Sequence, residues 1–331
     1  METPGRSDAP LDVLCAGETM VMVSPLSRMS LLEPDVPLSL HIGGAESNVA
    51  CGMAHFGYFV SWWSRVGDDP FGGRITRELA ARGVDTSQVV VDKQRPTGIY
   101  LKDPGPDGTN VYYYRAGSAA SGMSRADVAL LPRPRRLLHV SGVTAAISPT
   151  AGGFLEALVL DRALGSALVS FDVNFRPRLW GTEAAGPALR RLAEAADIAI
   201  VGRDEAEALW GTSTPEQIRE HLSSAPVVVV KDAEVGATHF EGDKAVFEPS
   251  ERVDLMESVG AGDAFAAGYL TAVLDGAEPE VALRLGHIVA GFTLQQMGDL
   301  AHLPEPSELR AAALRRAGSA IPEREIPGKD R

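Results

Sequence analysis

Residues Glu257–Gly268 read Glu-Ser-Val-Gly-Ala-Gly-Asp-Ala-Phe-Ala-Ala-Gly, a glycine-rich turn that leads into an apolar run ending at Leu274. Because this run is apolar on every side, it predicts a helix buried in the middle of a domain. Gly260 and Gly262 free the backbone to turn, so that several N–H groups point the same way at the helix start. Those unpaired donors and the positive end of the helix dipole predict an anion site.

Asp263 lies in the first turn of this predicted helix, within reach of any anion held there. A fixed carboxylate beside such a site suits phosphoryl transfer to a hydroxyl group. The carboxylate accepts the hydroxyl proton, and the N–H groups stabilise the phosphoryl oxygens. A structural alternative remains open at this point, because Gly-x-Gly-Asp before a helix is often only a turn with an aspartate N-cap.

Composition limits the class of protein. The chain has 331 residues, 45% of them hydrophobic and 23% charged, which is typical of a globular protein with a large core. Its net charge of -13 argues against nucleic acid or an anionic membrane surface as a partner. Cys15 and Cys51 lack metal-binding spacing and indicate reduced thiols of a cytoplasmic protein. We find no apolar core of a signal peptide and no apolar run of membrane-spanning length.

Predicted strands and helices alternate along most of the chain, which is typical of a parallel sheet with helices on both faces. Residues Val89 to Ser121 interrupt this pattern with short strands and Pro/Gly turns, and they contain four of the six tyrosines. We expect a small antiparallel lid formed by about residues 19–40 and 89–121. It would be inserted into a single domain over residues 11–318, with flexible tails at residues 1–10 and 319–331.

Polar residues cluster at two further helix or strand ends. Gly43 and Gly44 precede a predicted helix, and Asn48 lies one turn inside it. These residues either let a ligand approach the backbone or form a mere hinge with a local cap. The segment Asp172–Arg178 follows a buried strand with Asp, Asn and Arg at alternate positions. Ligands of open α/β sheets bind at that edge, which favours a site there.

Together these motifs resemble the ribokinase-like (PfkB-type) family of carbohydrate kinases. The resemblance covers about residues Asp12–Gly298 and rests on two motifs in this order, Gly43–Ala50 and Gly260–Phe265, with a small β insertion between them. It implies an α/β fold, with a doubly wound, mostly parallel ribokinase-like sheet and a small inserted antiparallel β lid over the sugar. It also implies ATP and Mg²⁺ as cofactors.

The resemblance assigns roles to individual residues. Asp263 would be the catalytic base, with Gly260, Ala261 and Gly262 as the anion hole. The implied nucleotide-binding residues are Lys231, Gly236, Ser258, Gly260, Gly262 and His287. The implied sugar-binding residues are Gly43, Gly44, Asn48, Tyr100, Tyr113, Arg115, Asp172 and Arg176. Gly202 stands where the family's Asn-x-x-Glu segment has asparagine, so Glu205, or Asp204 beside it, would organise Mg²⁺.

Within this family, the segments Tyr113–Ser121 and Asp172–Trp180 look like those of 2-keto-3-deoxygluconate kinases. That likeness implies that Tyr113, Arg115 and Arg176 hold a sugar acid, and two arginines suit a carboxylate that a neutral sugar lacks. We therefore expect ATP-dependent phosphorylation of a hydroxymethyl group of a keto-sugar acid. A fructokinase or ribokinase, or a regulator that binds sugar or nucleotide without turnover, remain alternatives. The expected partners are the sugar acid and ATP, in a homo-oligomer assembled through the lid.

Overall fold

The computed structural model describes residues 10–26, 29–105, 108–251, 253, 259–296 and 300–315. The predicted flexible tails lie outside the described residues, apart from residue 10, and so do residues 316–318 of the predicted domain. The strands are β1 (Val13–Ala16), β2 (Met20–Pro25), β3 (Leu38–Gly43), β4 (Val60–Trp63), β5 (Arg65–Gly67), β6 (Val90–Asp92), β7 (Ile99–Gly105), β8 (Gly108–Tyr114), β9 (Leu137–Ser141), β10 (Leu168–Asp172), β11 (Ile198–Gly202), β12 (Val227–Asp232), β13 (Gly236–Glu241) and β14 (Lys244–Pro249).

Helices connect these strands. They are α1 (Ala45–His55), α2 (Pro70–Ala81), α3 (Gly142–Ala146), α4 (Pro149–Val159), α5 (Thr182–Ala195), α6 (Arg203–Trp210), α7 (Pro215–His221), α8 (Ala261–Leu274), α9 (Pro279–Leu294) and α10 (Pro306–Leu314), with 3₁₀ turns at Ala120–Gly122 and Arg125–Leu130. Within the described part of the chain, none of these helices has the length and apolarity needed to cross a membrane.

Eight strands form the main sheet in the order β14-β13-β12-β11-β10-β9-β1-β4. The pairs from β12 through β4 are parallel, whereas β13 and β14 add an antiparallel edge. Alternate residues of the parallel strands enter two separate cores. One core packs against α1, α2, α8, α9 and α10, and the other packs against α4 to α7. This confirms the predicted doubly wound, mostly parallel α/β fold.

The lid is a four-stranded sheet in the order β3-β2-β7-β8. Its β2–β3 and β7–β8 pairs are antiparallel, as predicted, but β2 and β7 pair in parallel. The parallel pair arises because the chain passes through α1, β4 and α2 of the main domain between these two strands. Strand β6, which lies within the segment expected to form the lid, pairs instead with β5 in a separate two-stranded sheet. Assembly of a homo-oligomer through the lid stays a prediction.

The central helix α8 is buried on nearly every side, as its all-round apolar sequence predicts. It packs closely on two neighbours because small residues line the contacts. A Cβ added at Gly268 would lie 2.6 Å from the Leu285 carbonyl oxygen on α9, and one added at Gly52 on α1 would lie 2.5 Å from the Ala267 Cβ. This close packing brings the start of α1 against the start of α8. Cys15 and Cys51 are free thiols, as predicted, and both are buried.

Candidate active site

The predicted anion site lies where α8 begins. Gly260 is the N-cap, with a φ of 82° that residues other than glycine rarely adopt, and it contributes no side-chain cap. Asp263 follows in the first turn, and its side chain is buried, with 9% exposed. Ser258, predicted to contact the nucleotide, lies outside the described residues.

Two asparagines from distant elements hold the Asp263 carboxylate. Asn48 Nδ2 on α1 donates to Asp263 Oδ2 over 2.8 Å, and Asn174 Nδ2 after β10 donates to Oδ1 over 3.4 Å. Asn174 itself is held in the left-handed region, at a φ of 41°, and its N–H donates to Asp172 Oδ1 over 3.2 Å. The reading of Asp263 as a simple N-cap is therefore wrong, because Gly260 caps the helix and the carboxylate faces other elements.

An ion pair lies beside this carboxylate. Lys231 Nζ at the end of β12 donates to Asp172 Oδ2 over 2.8 Å. Burial lowers the pKa of Lys231, but the carboxylates of Asp172 and Glu205 outweigh burial, so its pKa is raised and the amine stays charged. Burial raises the pKa of Asp263 to about 7. The Asn48 hydrogen bond opposes this rise, the negative charge of Asp172 adds to it, and the positive charges of Arg176 and Lys231 also oppose it.

One cavity of about 940 Å³ contains the start of α8 and extends to both sides of it. This volume lies within the range of small-molecule sites. Towards the lid the cavity is lined by Tyr113, Asn174 and Arg176, and on the other side by Ala233, Glu234, Gly236, Ser250, His287, Ala290 and Gly291. Asp263 and the Gly260–Gly262 turn lie between the two ends. Asp263 therefore lines a cavity that it shares with predicted sugar-binding and predicted nucleotide-binding residues.

The predicted sugar-binding residues fall into two groups. Tyr113 and Arg176 line the cavity, and the Arg176 side chain is exposed, without a hydrogen bond or ion pair to the described residues. Others lie behind this surface. Gly43 ends β3, Gly44 lies so close to Glu18 that an added Cβ would be 2.5 Å from its carbonyl oxygen, and Tyr100 packs with Met20 and Met22. Asn48 contacts Asp263, and Asp172 contacts Lys231, so both act on the site through these neighbours.

Arg115 has a partner that the sequence did not suggest. The side chains of Arg115 and Glu18 are 8% and 1% exposed, and they form an ion pair. Glu18 Oε1 also accepts a hydrogen bond from Ser118 Oγ over 2.7 Å, and the Arg115 guanidinium lies 5.9 Å from the centre of the Tyr113 ring. The only signal for Glu18 was a charged residue directly after the first buried strand. Binding of a ligand carboxylate by Arg115 stays a prediction, but its charge is already matched by Glu18.

Two of the predicted nucleotide-binding residues, Gly236 and His287, lie at the other end of the cavity. Gly236 has a φ of 147° and Ala233 a φ of 41°, so the turn after β12 contains two residues in conformations that favour glycine. His287 Nε2 lies 3.2 Å from the carbonyl oxygen of Glu248, and its ring meets Phe265 edge-on at 5.1 Å. Lys231 is different, because its amine reaches towards α8 and not towards this turn.

Glu205 and Asp204 offer carboxylates to the same cavity from the first turn of α6. Glu205 Oε2 accepts from the Gly202 N–H over 3.0 Å, and burial raises its pKa, with Lys231 opposing and Asp172 adding to the rise. Among the described residues no cluster of three or more potential metal ligands occurs. One or two carboxylates beside a phosphate site nevertheless suit Mg²⁺, which keeps several waters and binds through substrate phosphates.

Comparison with known proteins agrees with this geometry. A family model described as pfkB family carbohydrate kinase matches residues 11–306. The 2-dehydro-3-deoxygluconokinase of Bacillus subtilis is 35% identical over 311 residues, which cover 90% of this chain and 94% of that enzyme. The enzyme of the same name from Thermoproteus tenax is 31% identical, with 91% and 94% covered.

Solved structures show the same relationship. A PfkB protein from Polaromonas has a TM-score of 0.80 at 36% identity, and the match covers 91% of this chain and 100% of that chain. A sugar kinase from Pyrococcus horikoshii, solved in complex with ATP, has a TM-score of 0.77 at 26% identity, with 91% and 100% covered. The likeness therefore extends over about nine-tenths of this chain.

Proposed function

Because this chain belongs to the pfkB family of carbohydrate kinases, we propose that it phosphorylates a hydroxymethyl group of a keto-sugar acid with ATP. The substrate that we propose is 2-keto-3-deoxygluconate, and the product is its 6-phosphate. The observation that carries the proposal is the position of the Asp263 carboxylate. It lines one cavity together with the cationic Arg176 on the side of the lid, and with Gly236 and His287 on the other side.

Asp263 is the proposed general base. Its pKa of about 7 leaves the carboxylate largely ionised above neutral pH, yet basic enough to accept a proton from the sugar hydroxyl. The two asparagine amides fix its orientation before the sugar binds. As the hydroxyl oxygen forms its bond to the γ-phosphorus, the bond from that phosphorus to the β-phosphate oxygen breaks, and the hydroxyl proton moves to Asp263.

The backbone N–H groups of the Gly260–Gly262 turn are the proposed anion hole for the transferring phosphoryl group. They point from the start of a buried helix, where the helix dipole adds to the hydrogen bonds. Mg²⁺, held through the ATP phosphates and the carboxylate of Glu205 or Asp204, would neutralise charge that develops on the phosphate oxygens.

Arg176 supports an acidic substrate. Its guanidinium is exposed to the cavity and forms no ion pair or hydrogen bond with the described residues, so it can form a charge-assisted pair with a ligand carboxylate. The ion pair of Arg115 with Glu18 gives some support to a second candidate, a kinase of neutral sugars such as fructose or ribose, because it leaves one free arginine where two were expected.

The proposal is tested by incubating the purified chain with ATP, Mg²⁺ and 2-keto-3-deoxygluconate and following the ³¹P NMR spectrum. We expect ADP together with a new phosphomonoester whose phosphorus couples to two protons, as a phosphorylated CH₂OH group requires. Transfer to fructose or ribose alone would favour the second candidate. ATP and sugar left unchanged would favour a binding protein without turnover.

A further inference from the structure

The amine of Lys231 lies beside the proposed anion hole, although its position in the sequence suggests a place in the nucleotide-binding turn. Its side chain is 19% exposed, and Nζ donates to Asp172 Oδ2 over 2.8 Å. A Cβ added at Gly262 would stand 3.3 Å from the same nitrogen, so the ammonium lies directly against the second residue of α8. Lys231 and Gly262 both line the cavity.

The Lys231 ammonium has N–H donors that form no hydrogen bond with the described residues. An ammonium group carries three N–H donors, and the described residues give Nζ one hydrogen bond, to Asp172. The Gly260–Gly262 turn and Glu205 line the same cavity as Lys231, so the remaining donors can reach a ligand held there. A point charge at this distance from an anion hole is well placed for a phosphate oxygen.

We propose that Lys231 donates a hydrogen bond to a non-bridging oxygen of the phosphoryl group in transfer, and that Asp172 is a positioning residue that holds Lys231 there. The inference rests on the proposed kinase reaction. The bond between the sugar oxygen and the γ-phosphorus forms while the bond to the β-phosphate oxygen breaks. The hydroxyl proton goes to Asp263, ADP leaves, and Lys231 keeps its own proton throughout.

A purely structural role is the competing explanation, since the ion pair also ties the ends of β10 and β12 together across β11. A structural tie would affect the sugar, ADP and ATP alike. A contact with the transferred group would affect only ligands that carry a γ-phosphate.

The pH dependence of activity tests separately whether Lys231 and Asp172 lie close enough to Asp263 to shift its pKa. Asp263 faces Asn48 on α1, Asn174, Asp172 and Arg176 at the end of β10, and Lys231 on β12. The positive charge of Lys231 lowers the pKa of Asp263, whereas the negative charge of Asp172 raises it. In Lys231→Met the acid limb of kcat/KM should therefore move to higher pH, and in Asp172→Asn it should move to lower pH.

The decisive experiment is calorimetric titration of ADP and of the non-hydrolysable ATP analogue AMP-PNP, each with Mg²⁺, into the wild type and Lys231→Met. Lys244→Met, at an exposed lysine on β14, is the matched control. We expect the affinity of Lys231→Met for AMP-PNP to fall at least about tenfold, as for a lost charge-assisted hydrogen bond, with ADP binding changed less than about twofold. Equal losses for both nucleotides, or no loss for either, would overturn the proposal.

Removing Lys231 alone leaves the buried Asp172 carboxylate without its cation, which can prevent folding. The double variant Asp172→Asn/Lys231→Met removes both charges and should show the same selective loss of AMP-PNP affinity. Because no sugar enters these titrations, they test Lys231 independently of the sugar substrate. A wild type that transfers phosphate to no sugar would overturn the proposed function, and the two nucleotide affinities would still decide the position of Lys231.

Discussion

Asn48 donates its side-chain N–H to Asp263 across 2.8 Å and so joins two residues that are 215 positions apart in the chain. The contact depends on the close packing of α1 against α8, which is possible because Gly52 has no side chain where it meets Ala267. Asn48 thereby orients the carboxylate, and its hydrogen bond lowers the pKa of Asp263 against the effect of burial. One amide thus links the glycine-rich start of α1 to the proposed chemistry.

Replacing Asn48 with leucine should move the acid limb of the kcat/KM profile to higher pH. The hydrogen bond stabilises the ionised form of Asp263, so its loss raises the pKa further and leaves less base near neutral pH. We expect a larger activity loss at pH 6.5 than at pH 8.5. The control is Asn110→Leu at an exposed position of the lid. An acid limb that stays in place in Asn48→Leu would contradict this role.

Replacing Asp263 with asparagine should lower kcat by about 10²–10⁴-fold, the usual effect of a lost general base. Binding of ATP and sugar should persist, because the amide is nearly isosteric with the carboxylate. The oxygen atoms Asn48 Oδ1 and Asn174 Oδ1 are buried without a partner among the described residues, so the new amide can donate to one of them. A variant with nearly full kcat would exclude Asp263 as the base.

The same Asp263→Asn variant should be more stable than the wild type at pH 8 but not at pH 4. A folded-state pKa of about 7, compared with the ordinary 3.8, means that ionisation opposes folding. Protonated Asp263 stabilises the fold fully below the unfolded pKa, and this contribution is lost as the pH rises through about 7. The free energy of unfolding of the wild type therefore falls by roughly 4 kcal/mol over this pH range. Thermal unfolding of both proteins at pH 4 and pH 8 measures this difference, and Asp243→Asn, at an exposed position, is the control. Equal changes in Tm at the two pH values would contradict the raised pKa.

The two arginines should behave differently when replaced with methionine. Arg176→Met removes a free cation from the cavity and should lower kcat/KM for the sugar acid at least about tenfold, with little effect on fructose. Arg115→Met leaves Glu18 buried and unpaired, so it should destabilise the fold by about 3 kcal/mol or more and reduce activity on both substrates.

The check for the arginines combines kcat/KM on both substrates with denaturant unfolding. The double variant Glu18→Gln/Arg115→Met should recover most of the stability lost in Arg115→Met, because no buried charge remains. If Arg176→Met loses activity on the acid and on fructose in parallel, its assignment to the substrate carboxylate is wrong. Selective loss on the acid in a stable Arg115→Met would instead restore Arg115 as a ligand of the carboxylate.

Replacing Glu205 with glutamine should raise the Mg²⁺ concentration needed for half-maximal rate. The carboxylate lines the cavity beside the proposed phosphate site, and an amide is a weaker ligand for a hard cation. Glu207→Gln, two residues further along α6 and ion-paired with Arg203 outside the cavity, is the matched control. Unchanged metal dependence in Glu205→Gln would shift the role to Asp204.

The sequence predicts the backbone frame of this site well. The glycine turn, the buried helix α8 and the polar residues after β10 follow from local pattern, since glycine conformation, helix dipoles and strand ends are local properties. The main sheet follows from alternating strands and helices. These parts meet at one edge of the sheet because ligand sites of doubly wound folds lie there. The resemblance to a kinase family then predicts which ligands bind at that edge.

Side-chain partners across the fold could not be predicted. The pairing of Glu18 with Arg115 depends on how the lid folds back over the main domain, which no spacing encodes. Lys231 looks like part of the nucleotide turn, but the direction of its side chain at the end of β12 brings its amine to Asp172 and α8. The parallel β2–β7 pair likewise depends on the path of the chain between two strands that are far apart in sequence.

The most direct test of the account compares kcat/KM of the wild type for 2-keto-3-deoxygluconate and for fructose, in one coupled assay with saturating ATP and Mg²⁺. A single charge-assisted contact with the Arg176 guanidinium is worth about 1.5–3 kcal/mol. We therefore predict a value for the acid at least about tenfold above that for fructose. A value for fructose equal to or greater than that for the acid would contradict the assignment of this chain as a kinase of keto-sugar acids.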